Sequence, residues 1–159
     1  MNLSLIADTD KRLTQLSESV TVFDSELQNF TEALKNKMIE SKGCGIAAPQ
    51  VGVLKRIIVV ESKENEFTIM INPRIITSGG ESTNSEGCLS FPNVFVDITR
   101  NSHISVEYQN VIGETFTWEL DDFTAIIIQH EIDHLDGIVM KDHVSRLKWE
   151  RAVKKSKKP

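Results

Sequence analysis

The segment QHEIDHLDG, residues 129–137, limits the fold more than any other part of the chain. Its two histidines, His130 and His134, lie four residues apart, so on an α-helix they share one face and can bind one metal ion. Glu131 beside them stays free for proton transfer. Three isoleucines at 126–128 predict that this helix is buried. Burying the three polar side chains without a partner would cost on the order of several kcal/mol, and a bound metal ion removes that cost.

The rest of the sequence predicts an α+β fold built around this helix. Five apolar, β-branched segments favour strands: LKRIIVVE (54–61), FTIMINP (67–73), NVFVDITR (93–100), HISVEYQN (103–110) and ETFTWEL (114–120). They cluster in the middle of the chain instead of alternating with helices. We therefore expect mixed, mainly antiparallel sheets packed around the HExxH helix, with one further helix near each end of the chain.

The N-terminal helix is predicted from SELQNFTEALKNKMIESKG, which begins at Ser25. Ser25 and Gln28 have the spacing of a capping box, and Gly43 stands where a C-terminal glycine is common. The GCGIAAPQVG segment that follows is rich in small residues and contains a proline. It predicts a loop or a tight backbone passage, not the centre of a strand.

The central helix, residues 123–136, has a candidate N-cap in Asp121 or Asp122, and Gly137 can end it. A third amphipathic stretch covers 144–158. The chain of 159 residues suits one domain spanning 1–159.

Composition excludes several classes of protein. The N-terminus has no signal-peptide pattern, and no stretch approaches 18 uninterrupted apolar residues. The two cysteines, Cys44 and Cys88, are too few for a disulfide framework and suit a reducing compartment. We therefore expect a cytoplasmic protein without a membrane partner.

Charge is unevenly distributed along the chain, whose net charge is −5. Residues 141–159 carry about +6 and residues 1–140 about −11. A basic tail on an acidic body fits a polyanionic partner such as RNA, and it equally fits a solvated helix end.

The third metal ligand has three candidate positions in the sequence. A metzincin-type protease needs a histidine six residues after His134, and that position is Met140. A thermolysin-like protease needs a downstream glutamate; Glu150 is the one available, in a basic segment with little chain left to support a site. Cys88 in SEGCLSFP would complete a Cys-His-His set with an open fourth position, although a lone cysteine can also be a small core residue.

Three separated motifs resemble those of peptide deformylases and occur in the same order. GCGIAAPQ (43–50) fits the family pattern GxGxAAxQ, EGCLS (86–90) is unbroken, and QHEIDHLDG (129–137) fits QHExDHLxG. The resemblance covers roughly residues 10 to 155 and is nearest to the bacterial and plastid type 1 branch. Two departures are Cys44, where an aliphatic residue is commoner, and the absence of the usual N-terminal proline.

The resemblance implies hydrolysis of the formyl group from N-formylmethionyl peptides, with release of formate. Cys88, His130 and His134 would bind the metal, which lowers the pKa of a bound water towards neutrality. Glu131 would act as general base and then general acid. The Gln50 side-chain amide and the Leu89 backbone N–H would stabilise the oxyanion.

Substrate-binding positions follow from the same motifs. The candidates are Gly43, Cys44, Gly45, Glu86 and Gly87 along the peptide backbone, and Phe123, Ile126 and Ile127 around the methionine side chain. Asp133 or Asp136 can orient a ligand imidazole or face solvent. Ser90 is expected to be a structural turn hydroxyl, and His103 and His143 to have no role.

Cofactor and partners are also expectations. Family resemblance implies one Fe(II) per chain, with Zn, Ni or Co able to substitute. In bacterial relatives the C-terminal helix attaches to the ribosome, and the basic tail here fits that role, with no DNA partner expected. Three alternatives are an endopeptidase with another third ligand, a binding protein without catalysis, and a ribosome-associated module.

Overall fold

The structure of the protein is a computed structural model that describes all 159 residues. The α-helices are α1 (Ser25–Glu40), α2 (Phe123–Leu135) and α3 (Arg146–Ser156), and three 3₁₀ helices span Lys11–Thr14, Ala48–Val51 and Met140–His143. The strands are β1 (Gly45–Ala47), β2 (Ile57–Lys63), β3 (Glu66–Gly79), β4 (Ser82–Cys88), β5 (Phe91–Arg100), β6 (His103–Gln109) and β7 (Thr115–Leu120). None of the helices has both the length and the apolar character needed to cross a membrane.

The strands form two separate sheets. A five-stranded sheet has the order β1-β2-β3-β6-β7, and β4 and β5 form a two-stranded sheet. Every ladder is antiparallel. The predicted α+β fold with antiparallel sheets and three helices is confirmed.

Strand β2 is buried on both faces and separates two parts of the core. Ile58 and Val60 contribute to a cluster with Ile128 and Ile132 of α2. Side chains on the other face of β2, such as Val59, pack in a second cluster with α1. Because successive side chains of a strand point to opposite faces, the IIVV run anchors both helices to one strand.

Helix α2 is the most deeply buried helix. Eleven of its thirteen residues are buried, as the isoleucine run predicts. The Asp122 side chain caps it by accepting a hydrogen bond from Thr124 N at 3.0 Å. Gly137 follows its end with φ of 71°, the left-handed conformation that glycine adopts without strain. The two signals together place α2 within a residue of its predicted bounds.

The predicted ends of α1 need correction. Its N-cap is Asp24, whose carboxylate accepts from Leu27 N at 3.0 Å, so Ser25 lies inside the helix and makes no capping box. At the C-terminus Lys42 adopts the left-handed conformation with φ of 58°. Gly43 N then donates to Met38 O at 3.0 Å, which closes a Schellman motif one residue earlier than expected.

Two strands were not predicted from the sequence. The GIA segment forms the short edge strand β1, and the polar STNSEGC segment forms β4. Neither has an alternating apolar pattern, because β1 has only three residues, two of them glycine and alanine, and β4 consists mainly of polar residues. Strand β4 exists because β5 pairs with it from Ser82↔Arg100 to Cys88↔Phe91.

Candidate metal centre

Helix α2 and the end of β4 bring three metal-ligating side chains together. The donor atoms of Cys88, His130 and His134 lie within 4.8 Å of one another, and Cys88 Sγ is 3.3 Å from His134 Nε2. Helical spacing places the two imidazoles on one face of α2, and the β4–β5 turn supplies the thiol. The structure therefore selects Cys88 as the third member among the candidates from the sequence.

The other candidates lie elsewhere. Glu150 is an exposed residue of α3 that pairs with Arg146 at 2.9 Å, and it is not part of the group. Met140 is buried in a small core cluster with Val96 and Ile98. Cys44 is also outside the group, although its thiol lines the same cavity.

The chemistry of these donors fits a divalent metal ion. A thiolate and two imidazoles suit zinc and iron, and three protein ligands leave a position open for a reactant. Burial lowers the pKa of His134 well below its ordinary value, so this imidazole is neutral and its nitrogen lone pair is available. His134 Nδ1 is buried without a hydrogen-bond partner, which leaves Nε2, the atom beside Cys88 Sγ, as its ligating atom.

Glu86 holds the second imidazole in position. Its Oε1 is 2.9 Å from His130 Nδ1, so His130 Nε2 is the nitrogen left to face the ligand group. Burial lowers the pKa of His130, but its hydrogen bonds with Cys88 and Glu86 outweigh burial and raise that pKa well above the ordinary value. A metal ion needs this imidazole neutral, so metal binding at this centre competes with protons.

Arg100 neutralises Glu86 in a bidentate ion pair. Arg100 Nε and Nη2 donate to Glu86 Oε2 and Oε1 at 2.7 and 2.9 Å, and both side chains are 5% exposed. Arg100 was not predicted as a site residue. One signal could have revealed it, since Val94, Val96 and Ile98 are the inward residues of β5 and Arg100 continues that alternation.

Glu131 is buried beside the ligands without joining them. It is 4% exposed, its Oε1 has no hydrogen-bond partner, and burial raises the pKa of its carboxyl to about 7. A carboxyl with a pKa near neutrality is suited to general acid–base chemistry. Gly45 makes the room for it, because a Cβ atom there would lie 2.6 Å from Glu131 Oε2 and 2.7 Å from Ile127 Cγ2.

Gln50 points its amide nitrogen at the ligand group. Its Oε1 accepts from Ala47 N at 2.9 Å, which orients the amide. Its Nε2 donates to Ser90 Oγ at 3.1 Å and lies 3.5 Å from Cys88 Sγ. Ser90 thus has a more specific task than a turn hydroxyl, since it holds the amide nitrogen in place.

A cavity of about 660 Å³ opens over this group. Of the residues predicted for the site, all but the deeply buried His134 line it: Gly43, Cys44, Gly45, Gln50, Glu86, Gly87, Cys88, Leu89, Phe123, Ile126, Ile127, His130 and Glu131. Strand β5 supplies wall residues that the sequence did not indicate, among them Phe91, Val94 and Phe95. Partial burial and the nearby Glu131 raise the pKa of the Cys44 thiol.

The two aspartates of the motif do not contact the ligand imidazoles. Asp133 Oδ2 accepts from Arg100 Nη1 at 2.8 Å and is 2.7 Å from His143 Nε2. Asp136 pairs with Arg56 at 2.9 Å. The residue that orients a ligand imidazole directly is Glu86, and His143, which was expected to have no role, is hydrogen-bonded.

Comparison with known proteins gives one consistent result. A sequence model described as polypeptide deformylase matches residues 3–150. Peptide deformylase 1 of Bacillus subtilis strain 168 is 44% identical over 131 residues, 82% of each chain, and the peptide deformylase of Chromobacterium violaceum is 38% identical over 98% of this chain and 95% of its own.

Solved structures agree with the sequence comparisons. A peptide deformylase from Legionella pneumophila has a TM-score of 0.92 with 31% identity, and the match covers 100% of both chains. A peptide deformylase from Synechococcus elongatus in complex with actinonin has a TM-score of 0.91 with 34% identity, covering 96% of this chain and 86% of the other.

Proposed function

The chain belongs to the polypeptide deformylase family and has peptide deformylase activity, and we propose that it removes the formyl group from N-formylmethionyl nascent peptides. The observation that carries this proposal is the convergence of Cys88, His130 and His134 beside an unpaired, buried Glu131. These groups meet at the floor of a cavity large enough for a short peptide. We propose residues 1–159 as one catalytic domain.

Cys88, His130 and His134 would hold the ion, with Glu86 fixing the ring of His130. A divalent ion in this set acidifies water and polarises a carbonyl oxygen. Fe(II) is the proposed native ion, and Zn, Ni or Co can replace it, because thiolate and imidazole donors accept all four. The Fe(II) form would also be sensitive to oxidation, because oxygen can oxidise the ion at its open position and then the thiolate beside it.

Glu131 is the proposed proton carrier. Its carboxylate takes a proton from the attacking water and later gives it to the departing amine, which becomes the free N-terminus of the peptide. The pKa of about 7 set by burial lets one group accept and release a proton near neutral pH. The absence of a hydrogen-bond partner at Oε1 leaves that oxygen free for water.

Gln50 and Leu89 are proposed to stabilise the oxyanion that develops on the formyl group. The Gln50 amide nitrogen already points towards Cys88 Sγ, and Ala47 and Ser90 prevent the amide from turning away. Leu89 follows Cys88 directly and lines the cavity, so its backbone N–H can be the second donor.

We propose that the backbone of the peptide substrate pairs with the edge strand β1. It is the outermost strand of its sheet, and Gly43, Cys44 and Gly45 line the cavity. An extended peptide can therefore add to it as a further strand, with Glu86 and Gly87 on the opposite wall. Phe123, Ile126 and Ile127 of α2 provide an apolar surface for the methionine side chain.

The decisive experiment is formate release from formyl-Met-Ala-Ser by protein prepared without oxygen and loaded with Fe(II), Ni(II), Co(II) or Zn(II). We expect release with each ion, fastest with Fe(II), and a loss of the Fe(II) activity in air that the Ni(II) form does not share. A chelator should abolish activity. Absence of formate from protein that holds one equivalent of ion would contradict the proposal.

The basic C-terminal helix is proposed to contact ribosomal RNA, which would place the enzyme at nascent chains in the cytoplasm. No residue of α3 is buried, and Arg151, Lys154 and Lys155 form no ion pair with a carboxylate, unlike Arg146 with Glu150. Trp149 attaches the helix to Phe91 of β5, with ring centroids 5.4 Å apart. The helix is thus held in place while its cations remain available.

A charge-only variant tests this contact. Replacing Arg151, Lys154 and Lys155 by glutamine leaves the Trp149 contact in place and should reduce co-sedimentation with ribosomes at low salt. Deformylation of the free tripeptide should be unchanged. Replacing Lys11, Lys35 and Lys63 by glutamine removes equal charge away from α3 and from the cavity, and serves as the control. Equal co-sedimentation of both variants and the unmodified protein would refute the contact.

A further inference from the structure

A chain of hydrogen-bonded charges leads from the metal centre to the start of the C-terminal segment. Glu86 binds His130 at 2.9 Å and Arg100 at 2.7 and 2.9 Å. Arg100 then donates to Asp133 at 2.8 Å, and Asp133 is 2.7 Å from His143 Nε2. The contacts around a ligand imidazole therefore continue, without a break, to a histidine outside the site.

His143 and Arg100 share the Asp133 carboxylate. Arg100 Nη1 and His143 Nε2 meet the same oxygen, Asp133 Oδ2. The Asp133 side chain is 21% exposed, so without His143 it can rotate towards water and release Arg100. Arg100 would then be held by Glu86 alone, and Arg100 and Glu86 could shift together. A guanidinium that binds carboxylates on two sides is fixed more tightly than one that binds a carboxylate on one side.

The segment that carries His143 is itself well anchored. His143 ends the 3₁₀ helix Met140–His143, in which Met140 is 2% exposed and packs against Val96 and Ile98. The Asp142 side chain accepts from Val139 N at 2.9 Å, which closes the turn. The imidazole is therefore delivered to Asp133 by a short, packed turn and not by a loose tail.

We propose that His143 is a positioning residue of the metal centre, which acts through Asp133, Arg100 and Glu86 to hold the His130 imidazole in its ligating orientation. The inference rests on the proposed function only in that Cys88, His130 and His134 bind the catalytic ion. It assigns no contact with substrate to His143. Its consequence is that the turn leading into α3 controls how firmly the ion is held.

Metal release is the direct measurement. His143→Leu removes the donor, whereas His143→Gln keeps an N–H donor near the position of Nε2. Transfer of Ni(II) from the loaded protein to an excess of chelator should be about tenfold faster for His143→Leu. Loss of a residue that supports a metal ligand typically weakens metal binding by about 10–100-fold, and His143 supports the ligand only indirectly. His143→Gln should restore release to within about twofold of the unmodified protein.

Two further readouts separate positioning from a general loss of stability. The visible spectrum of the Co(II) form should change in His143→Leu and return in His143→Gln, because it reports ligand geometry. Among kinetic constants kcat should fall while KM for formyl-Met-Ala-Ser stays unchanged. His103→Leu, at an exposed histidine on β6 that takes no part in these contacts, should behave like the unmodified protein in every assay.

Asp133→Asn tests the same path if His143→Leu folds poorly, and a double-mutant cycle of the two completes the test. Asp133→Asn should also accelerate Ni(II) release, and adding His143→Leu to it should cause little further change, since both act through one path. Fully additive effects, or release from His143→Leu at the unmodified rate, would overturn the inference. Because release is measured without formate, absence of deformylation in the unmodified protein would count against the proposed function alone.

Discussion

Replacing Glu131 with glutamine should lower kcat by about 10²–10⁴-fold while metal content and KM stay unchanged. Glutamine has nearly the same shape as glutamate, so it fits the space beside Gly45 and preserves the packing. It cannot accept a proton from water, and that is the role proposed for the buried carboxylate. Formate release by Fe(II)- or Ni(II)-loaded protein, with metal content measured on the same sample, gives the result.

The matched control is Glu119→Gln, at an exposed glutamate on β7 that does not line the cavity. It changes net charge by the same amount and should retain full activity. Loss of a general base costs at least about 10²-fold in rate. If Glu131→Gln kept more than about a tenth of the activity with a full complement of metal, another group would have to carry the proton.

Replacing Arg100 with leucine should destabilise the metal-free fold by about 3 kcal/mol, the lower end of the cost of breaking a buried ion pair, because the buried Glu86 carboxylate then keeps only His130 as a partner. Urea denaturation of the metal-free protein measures this without a contribution from ion binding. Arg74→Leu is the control, since Arg74 pairs with Glu107 at 3.1 Å on the surface and should cost less than about 1 kcal/mol. Equal costs for the two variants would show that burial of the Glu86 pair has no energetic weight.

A double substitution separates charge burial from ligand orientation. Arg100→Met together with Glu86→Met removes both charges, and it should recover much of the stability that Arg100→Leu loses. It should not recover metal retention, because His130 Nδ1 then has no partner to hold its ring. Recovery of both properties would mean that Glu86 does not orient the imidazole.

Helix α2 could be predicted from local sequence because every signal for it is local. The isoleucine run predicts burial, Asp122 marks the start and Gly137 the end. The same holds for His130 and His134, whose four-residue spacing is a property of the helix itself. Cys88 could not be assigned from local sequence, because it lies 42 positions before His130. Only the resemblance to a family placed the two motifs in one site.

What the sequence did not reveal depends on contacts between distant segments. Strand β4 has no apolar alternation and exists through its pairing with β5. The alternation of β5 marks Arg100 as an inward residue, but its ion pairs join β5 to Glu86 of β4 and to Asp133 of α2, and no local pattern identifies those partners. His143 looked like an isolated surface histidine because the partner that gives it a role, Asp133, is identified only once the turn packs against β5.

The division of the strands into two sheets has a consequence for the life of the protein in the cell. Cys88 belongs to the two-stranded sheet and the histidines belong to the helix on the five-stranded sheet, and no backbone ladder joins the two sheets. An ion at the centre therefore acts as a cross-link between the two parts of the molecule. Each tenfold rise in free ion above its dissociation constant adds about 1.4 kcal/mol to the unfolding free energy. Depletion of the ion would thus lower the amount of folded enzyme as well as its activity, by exposing the ion-free chain to proteolysis.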